Sequence, residues 1–198
     1  GNFVANPTGD NSVNPFFTFD NREYDADVVR IIQNVNLNYK VNKFVELDYK
    51  YGLDHYRYDY QDLIRNQTQF LTGIIEPLNG RLQRRLDKGT TQNSLLTAFL
   101  RTDFAEDFNM DLPISTSTQV AFDWRREDFD RTTSQGTGLP EYEDITLRAS
   151  QEAFVDEFVS DFVTYGFLVN QKIEWDDLAG ISGGFRVDWS SAFGQGSD

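Results

Sequence analysis

Residues 161–194, DFVTYGFLVNQKIEWDDLAGISGGFRVDWSSAFG, constrain the fold more than any other stretch. Taken with a period of two, Val163, Tyr165, Phe167, Val169, Ile173 and Trp175 share a face, with Gln171 the one polar residue among them. Phe162, Thr164, Gly166, Leu168, Asn170, Lys172 and Glu174 share the other. After Asp176, Asp177 and Leu178 the alternation resumes, with Ile181, Gly183, Phe185, Val187 and Trp189 set against Ser182, Gly184, Arg186, Asp188 and Ser190. A turn over 176–178 places Trp175 opposite Ala179, Ile173 opposite Ile181 and Val169 opposite Phe185, so the two apolar faces coincide. A slip by one residue would turn every apolar side chain to the wrong face, so register and turn together specify one hairpin. Its arms, about 11 to 15 residues, exceed the about 5 or 6 of ordinary strands and suit a tilted crossing of a bilayer.

The same pattern recurs upstream. Val29, Ile31, Val35, Leu37, Tyr39 and Val41 share a face, Asn42-Lys43-Phe44 turn the chain, and Val45, Leu47, Tyr49, Tyr51 and Leu53 follow in phase. Near His55 the phase is expected to shift, because Tyr56, Tyr58 and Tyr60 fall on the polar parity unless a bulge intervenes. A third hairpin sets Leu96, Ala98, Leu100, Thr102 and Phe104 against Ile114, Thr116, Thr118, Val120, Phe122 and Trp124, joined by 105–111. Residues 1–28 read as loop with Pro15-Phe16-Phe17 as an apolar anchor, and 60–90 and 126–160 read as long loops. The expectation is all-β: an antiparallel transmembrane β-barrel segment of about six long strands in three hairpins, with short periplasmic turns and long extracellular loops. Aromatics near the strand ends (Tyr39, Phe104 and Trp175 toward the turns, Trp124 and Trp189 toward the loops) fit two interfacial girdles. A soluble antiparallel sandwich, also apolar on one strand face, is the alternative.

Composition narrows the function. A net charge of −14 argues against nucleic acid, which needs a basic patch. Cysteine is absent, which removes disulfides and thiolate metal sites. No apolar run approaches the roughly 18 residues of a membrane helix, so any crossing falls to strands. The chain opens on glycine without a charged n-region and apolar h-region, and is expected to be an excerpt of something longer.

Catalysis finds little support. His55 is the one histidine, and it has no accompanying triad or metal-ligand motif. The carboxylates Glu127, Asp128, Glu141, Glu143, Asp144 and Glu152 read as solvated acidic surface rather than a glycosidase pair. No catalytic residue, metal ligand or cofactor is assigned. Two groups bear on ligands. Tyr56, Tyr58 and Tyr60 offer stacking faces to a sugar or peptide, against the plainer reading of girdle packing. Glu46, Asp48, Lys50, Asp123, Arg125, Arg186 and Asp188 are expected to face a lumen as a charged network. Gly180, Gly183 and Gly184 open no helix, so they mark curvature or close backbone approach rather than a phosphate cradle.

TYGFLVNQKIEWDDLAG at 164–180 followed by GGFRVDWSSAFG at 183–194 resembles the barrel of SusC/RagA-like TonB-dependent receptors. That family carries a Tyr-Gly-Phe strand, a short turn, then a Gly-Arg-Asp strand ending in Ser-Ala/Arg-Phe-Gly. Asn-Pro-Phe at 14–16, Tyr-Gly-Leu-Asp at 51–54 and Gly-Leu-Pro at 138–140 stand in the family's order, so the similarity covers most of the chain. The resemblance implies that residues 1–198 are a partial receptor barrel domain, a middle-to-late section of a barrel of about 22 strands, with plug and remaining strands absent. It further implies a Gram-negative, Bacteroidetes-like outer membrane and import of a nutrient such as an oligosaccharide or peptide. The implied partners are membrane lipid, the TonB complex acting through the plug, and a SusD-like lipoprotein. A soluble glycan-binding module and a passive porin remain alternatives, and an enzyme is the least supported.

Overall fold

A computed structural model describes residues 15–69, 75–141, 145–176 and 178–191. The loop expected over 1–14, the acids Glu143 and Asp144, Asp177 in its turn and the Ala-Phe-Gly closing the last motif lie outside the described residues. The order is α1 (Pro15–Asn21), β1 (Arg22–Lys40), β2 (Val45–Ile64), β3 (Arg81–Asp103), α2 (Phe104–Phe108), β4 (Ile114–Thr137), a 3-10 turn (Leu147–Ala149), β5 (Glu152–Trp175) and β6 (Ala179–Ser190). The six strands form one antiparallel sheet in sequence order, and it does not close on itself. No described helix is long and apolar enough to cross a membrane.

The last hairpin has the register its sequence dictates: Trp175 pairs with Ala179, Ile173 with Ile181 and Val169 with Phe185. Gly184 marks a close approach, since a Cβ there would lie 2.7 Å from the Val169 carbonyl oxygen, whereas the space beside Gly183 is open. At the first turn the Val41 amide donates to the Val45 carbonyl at 2.9 Å, and the Asn42 carboxamide oxygen accepts from the amides of Phe44 (2.8 Å) and Val45 (2.9 Å). That side chain substitutes for a backbone turn. The connection expected at 105–111 contains α2, and Phe104, expected as strand, is its first residue. Asp103 caps it by accepting from the amides of Ala105 and Glu106, and Asn109 ends it in the left-handed conformation that asparagine tolerates.

The strands exceed the expected lengths, at 19, 20, 23, 24 and 24 residues for β1 to β5. Much of the loop expected at 1–28 is therefore helix and strand. The two long connections shrink to 65–80 and 138–151. In RLQRRLDKGTTQN (81–93) only Leu82 and Leu86 interrupt a polar run, too few for an alternation to show. β2 continues past His55 to Ile64.

The chain divides into two compact units. Unit 1 takes Gly1–Arg30, Tyr56–Lys88 and Phe129–Val159. Its core packs Leu63, Leu82 and Leu139 with Ile145 and Leu147. Phe17 of the expected anchor is buried while Phe16 is exposed. Unit 2 takes Ile31–His55, Gly89–Asp128 and Ser160–Asp198. Ala121 is its one buried hydrophobic residue among those described. One face of its sheet is knit by Tyr51–Gln92, Thr102–Thr116 and Thr118–Gln171 hydrogen bonds and by Tyr165–Trp189 and Phe167–Phe185 ring pairs. That face leaves Val35, Leu37, Leu96, Leu100, Phe122, Ile181 and Val187 exposed.

The turn geometry yields a test. Asn42→Ala removes both Asx acceptor bonds and should lower the stability of the complete protein by about 1–2 kcal/mol, read by urea unfolding in lipid vesicles. Asn42→Asp keeps the acceptor and should stay near wild type. Equal losses in both variants would show that the acceptor does not hold the turn.

Candidate functional site

The opposite face of unit 2 carries a recess of about 610 Å3, to which Lys50, Asp123, Arg125, Arg186 and Asp188 all contribute. Five of the seven residues expected to form a charged network therefore line one recess. The other two are not among its lining residues. Glu46 accepts from the Asn38 amide and from Arg101, each at 2.6 Å, and Asp48 lies 3.3 Å from Lys50.

Arg186 organises the recess. Its Nε donates to Asp188 at 2.8 Å and its Nη2 to Asp123 at 2.6 Å. Asp123 is on β4 and Arg186 on β6, and β5 runs between them. The guanidinium crosses β5 over Gly166, where a Cβ would lie 2.5 Å from an Asp188 carboxylate oxygen and 2.7 Å from both Arg186 Nη2 and Asp123 Oδ1. No other residue type leaves that path open without displacing the ion pairs. Gly166 was not among the expected site residues, although its place in the Tyr-Gly-Phe strand, on the polar parity, was the available signal. Asn34 and Asn36, also lining the recess, were visible only as an alternating asparagine run. His55 makes a 2.9 Å contact with the Thr90 hydroxyl.

Unit 1 holds the tyrosines. Tyr58 and Tyr60 are half-buried with rings nearly parallel at 6.1 Å, and Tyr24 meets Tyr60 edge-on at 5.2 Å. The Arg85 guanidinium lies 5.9 Å from the Tyr58 ring centre, and Tyr56 is half-buried on the same strand. Two carboxylates flank the rings, each gripped by two arginines. Asp62 accepts from Arg22 Nε (2.8 Å) and Arg81 Nη2 (2.7 Å); Asp87 accepts from Arg85 Nε (2.8 Å) and Arg131 Nε (3.0 Å). Burial pushes the Asp62 carboxyl up, but the Arg22 and Arg81 guanidiniums outweigh it and hold it below the usual carboxylate value. Hydrogen bonding from Arg85, opposed by burial and reinforced by Arg131, does the same for Asp87. Arg131 also lies 5.1 Å from the Phe129 ring centre, and Phe129 meets Phe158. The tyrosines thus sit in a cationic and aromatic setting that their sequence neighbours do not reveal, since Arg22, Arg85 and Arg131 come from other strands.

No protein-family model and no curated protein matches the chain. Solved structures do. A chain in the structure of the RagAB peptide transporter superposes with a TM-score of 0.75 at 14% identity, over 92% of this chain and 20% of that one. The RagAB peptide importer in its closed-closed state gives 0.71 at 14% identity, covering 91% and 19%, and in its open-open state 0.69 at 13%, again 91% and 19%. The chain spans about a fifth of the length of these relatives, and at such identity the likeness establishes the fold.

Proposed function

We propose that the chain is a section of the barrel wall of a TonB-dependent, SusC/RagA-like transporter in a Gram-negative outer membrane. The observation that carries this reading is the two-sidedness of unit 2: an exposed apolar face on long antiparallel strands, backed by an ion-paired polar face. In water such an apolar surface would be a liability; against lipid it is what a spanning strand requires. The fold shared with chains of the RagAB peptide transporter supports the assignment, and the transporter identity of those neighbours favours a non-enzyme. The spanning parts are the strand segments of unit 2, and residues 1–198 form part of a larger barrel whose further strands pair with β1 and β6. The cargo is a nutrient such as an oligosaccharide or peptide, with peptide favoured by the structural neighbours. The energy source is the TonB complex, and a SusD-like lipoprotein is the surface partner.

Consecutive antiparallel strands send alternate connections to opposite ends, so the 42–44 and 176–178 turns and the 65–80 and 138–151 loops should lie on opposite sides of the membrane. In cells producing the complete protein, Glu76→Cys should react with an impermeant thiol reagent, and Leu178→Cys only after the outer membrane is opened. Equal labelling of both in intact cells sinks the topology. Val187 is expected at the lipid face: Val187→Arg should cost roughly 2 to 4 kcal/mol of folding free energy in lipid vesicles if the residue lies near the bilayer midplane. A loss below about 0.5 kcal/mol, usual for an exposed position in water, would favour the soluble module instead. Nutrient uptake through the complete protein should stop when TonB is deleted, whereas unchanged uptake would make it a passive porin.

A further inference from the structure

We infer that the face of unit 1 bearing Tyr58 and Tyr60 binds an acidic peptide, extended along β3, with carboxylates on residues four apart. The inference rests on the importer reading for the choice of a peptide; the acid preference and the spacing come from the residues of this face.

Charge comes first. The chain as a whole is strongly acidic, at −14. This face is the opposite. Its two carboxylates are nearly inaccessible, with the side chains of Asp62 and Asp87 at 1% and 6% exposure, while the arginines that grip them keep 28–40% of their side chains exposed. Each cluster of two guanidiniums and one carboxylate carries a surplus positive charge, and that charge is on the solvent side. A guanidinium has five donors, and a bidentate grip on one carboxylate uses two. Arg22, Arg85 and Arg131 each grip their aspartate through Nε and Nη2. The fork geometry suits a second carboxylate, which it also binds through paired N–H groups.

Spacing comes next. Arg81 and Arg85 are both on β3 and belong to different clusters. Four residues of strand rise place their backbones about 13 Å apart at roughly 3.3 Å per residue. An extended peptide has the same rise, so its residues i and i+4 share a face and match that separation. Between the clusters stand the parallel rings of Tyr58 and Tyr60, where residue i+2 of the ligand would meet aromatic surface. Aromatic surface flanked by arginines is the composition of a binding hot spot.

The test uses the complete protein purified in detergent, with synthetic nine-residue peptides carrying tyrosine at position 5. The peptide with glutamates at positions 3 and 7 should bind at least tenfold more tightly than its glutamine analogue, and more tightly than one with glutamates at 3 and 4. Raising salt to half molar should erase the advantage. The double variant Arg22→Gln, Arg85→Gln removes the surplus cation from each cluster yet leaves Asp62 with Arg81 and Asp87 with Arg131, so no carboxylate is orphaned. It should lose the preference while the protein still folds with wild-type strand content by circular dichroism, the unfolding midpoint falling because each aspartate keeps one guanidinium in place of two. Equal affinity for the glutamate and glutamine peptides, or a preference that survives the double variant, overturns the inference. The two readings fail separately. TonB-dependent uptake without acid preference rejects this inference alone, and acid-selective binding by a protein whose uptake ignores TonB rejects the importer alone.

Discussion

The antiparallel backbone ladder is the constraint on which the rest depends. It satisfies the N–H and C=O groups of each strand through its neighbours, and it assigns every side chain to one of two faces by parity. Once Trp175 pairs with Ala179, the placement of Arg186 beside Leu168 and Val187 beside Phe167 follows without further choice. The two faces then have different chemistry to manage. One gathers exposed aliphatic and aromatic side chains; the other must neutralise arginines, lysines and carboxylates among themselves.

What was legible in the sequence follows from this. Where one face is apolar, alternation writes the strand into the sequence, so both the last hairpin and the Val41–Val45 turn were readable to the residue. Where polar residues fill nearly all of both faces, as over Arg81–Asn93 with Leu82 and Leu86 the exceptions, parity carries little compositional mark, and the strand extensions looked like loop. Their order rests on pairs made between strands, Arg131 on Asp87 or Arg22 and Arg81 on Asp62, at separations no local pattern displays. The N-terminal helix was missed for a related reason: PFFTFDN shows no apolar stripe of helical period, since Phe17 is its one buried apolar residue and the polar Asn21 is buried beside it. The charged lining of the recess was legible as a set, since parity put Lys50, Asp123, Arg125, Arg186 and Asp188 on one strand face. Its geometry was not, because the residue that permits it, Gly166, has no side chain to announce itself.

The ion pairs are not simple sources of stability. Removing a carboxylate from water costs more than one partner returns unless the geometry is good and the remaining lone pairs are met. Asp62 and Asp87 each answer that cost with two guanidiniums. Exposed pairs such as Arg57–Asp59 contribute little by comparison. What the doubled grips secure is position: Asp62 ties β1, β2 and β3 together, and Asp87 ties β3 to β4.

That arrangement also decides how the face behaves toward protons. A carboxyl held below its ordinary value stabilises the fold above its unfolded-state pKa, near 3.9, and that contribution fades only as the pH falls further, through the folded value. Arginine does not titrate in any physiological range. The two clusters therefore act as fixed charge, like the matrix of an ion exchanger rather than a buffer. Acidification to pH 5 leaves the sign and size of that charge unchanged, so any acid sensitivity in what the face retains must come from the titration of the ligand.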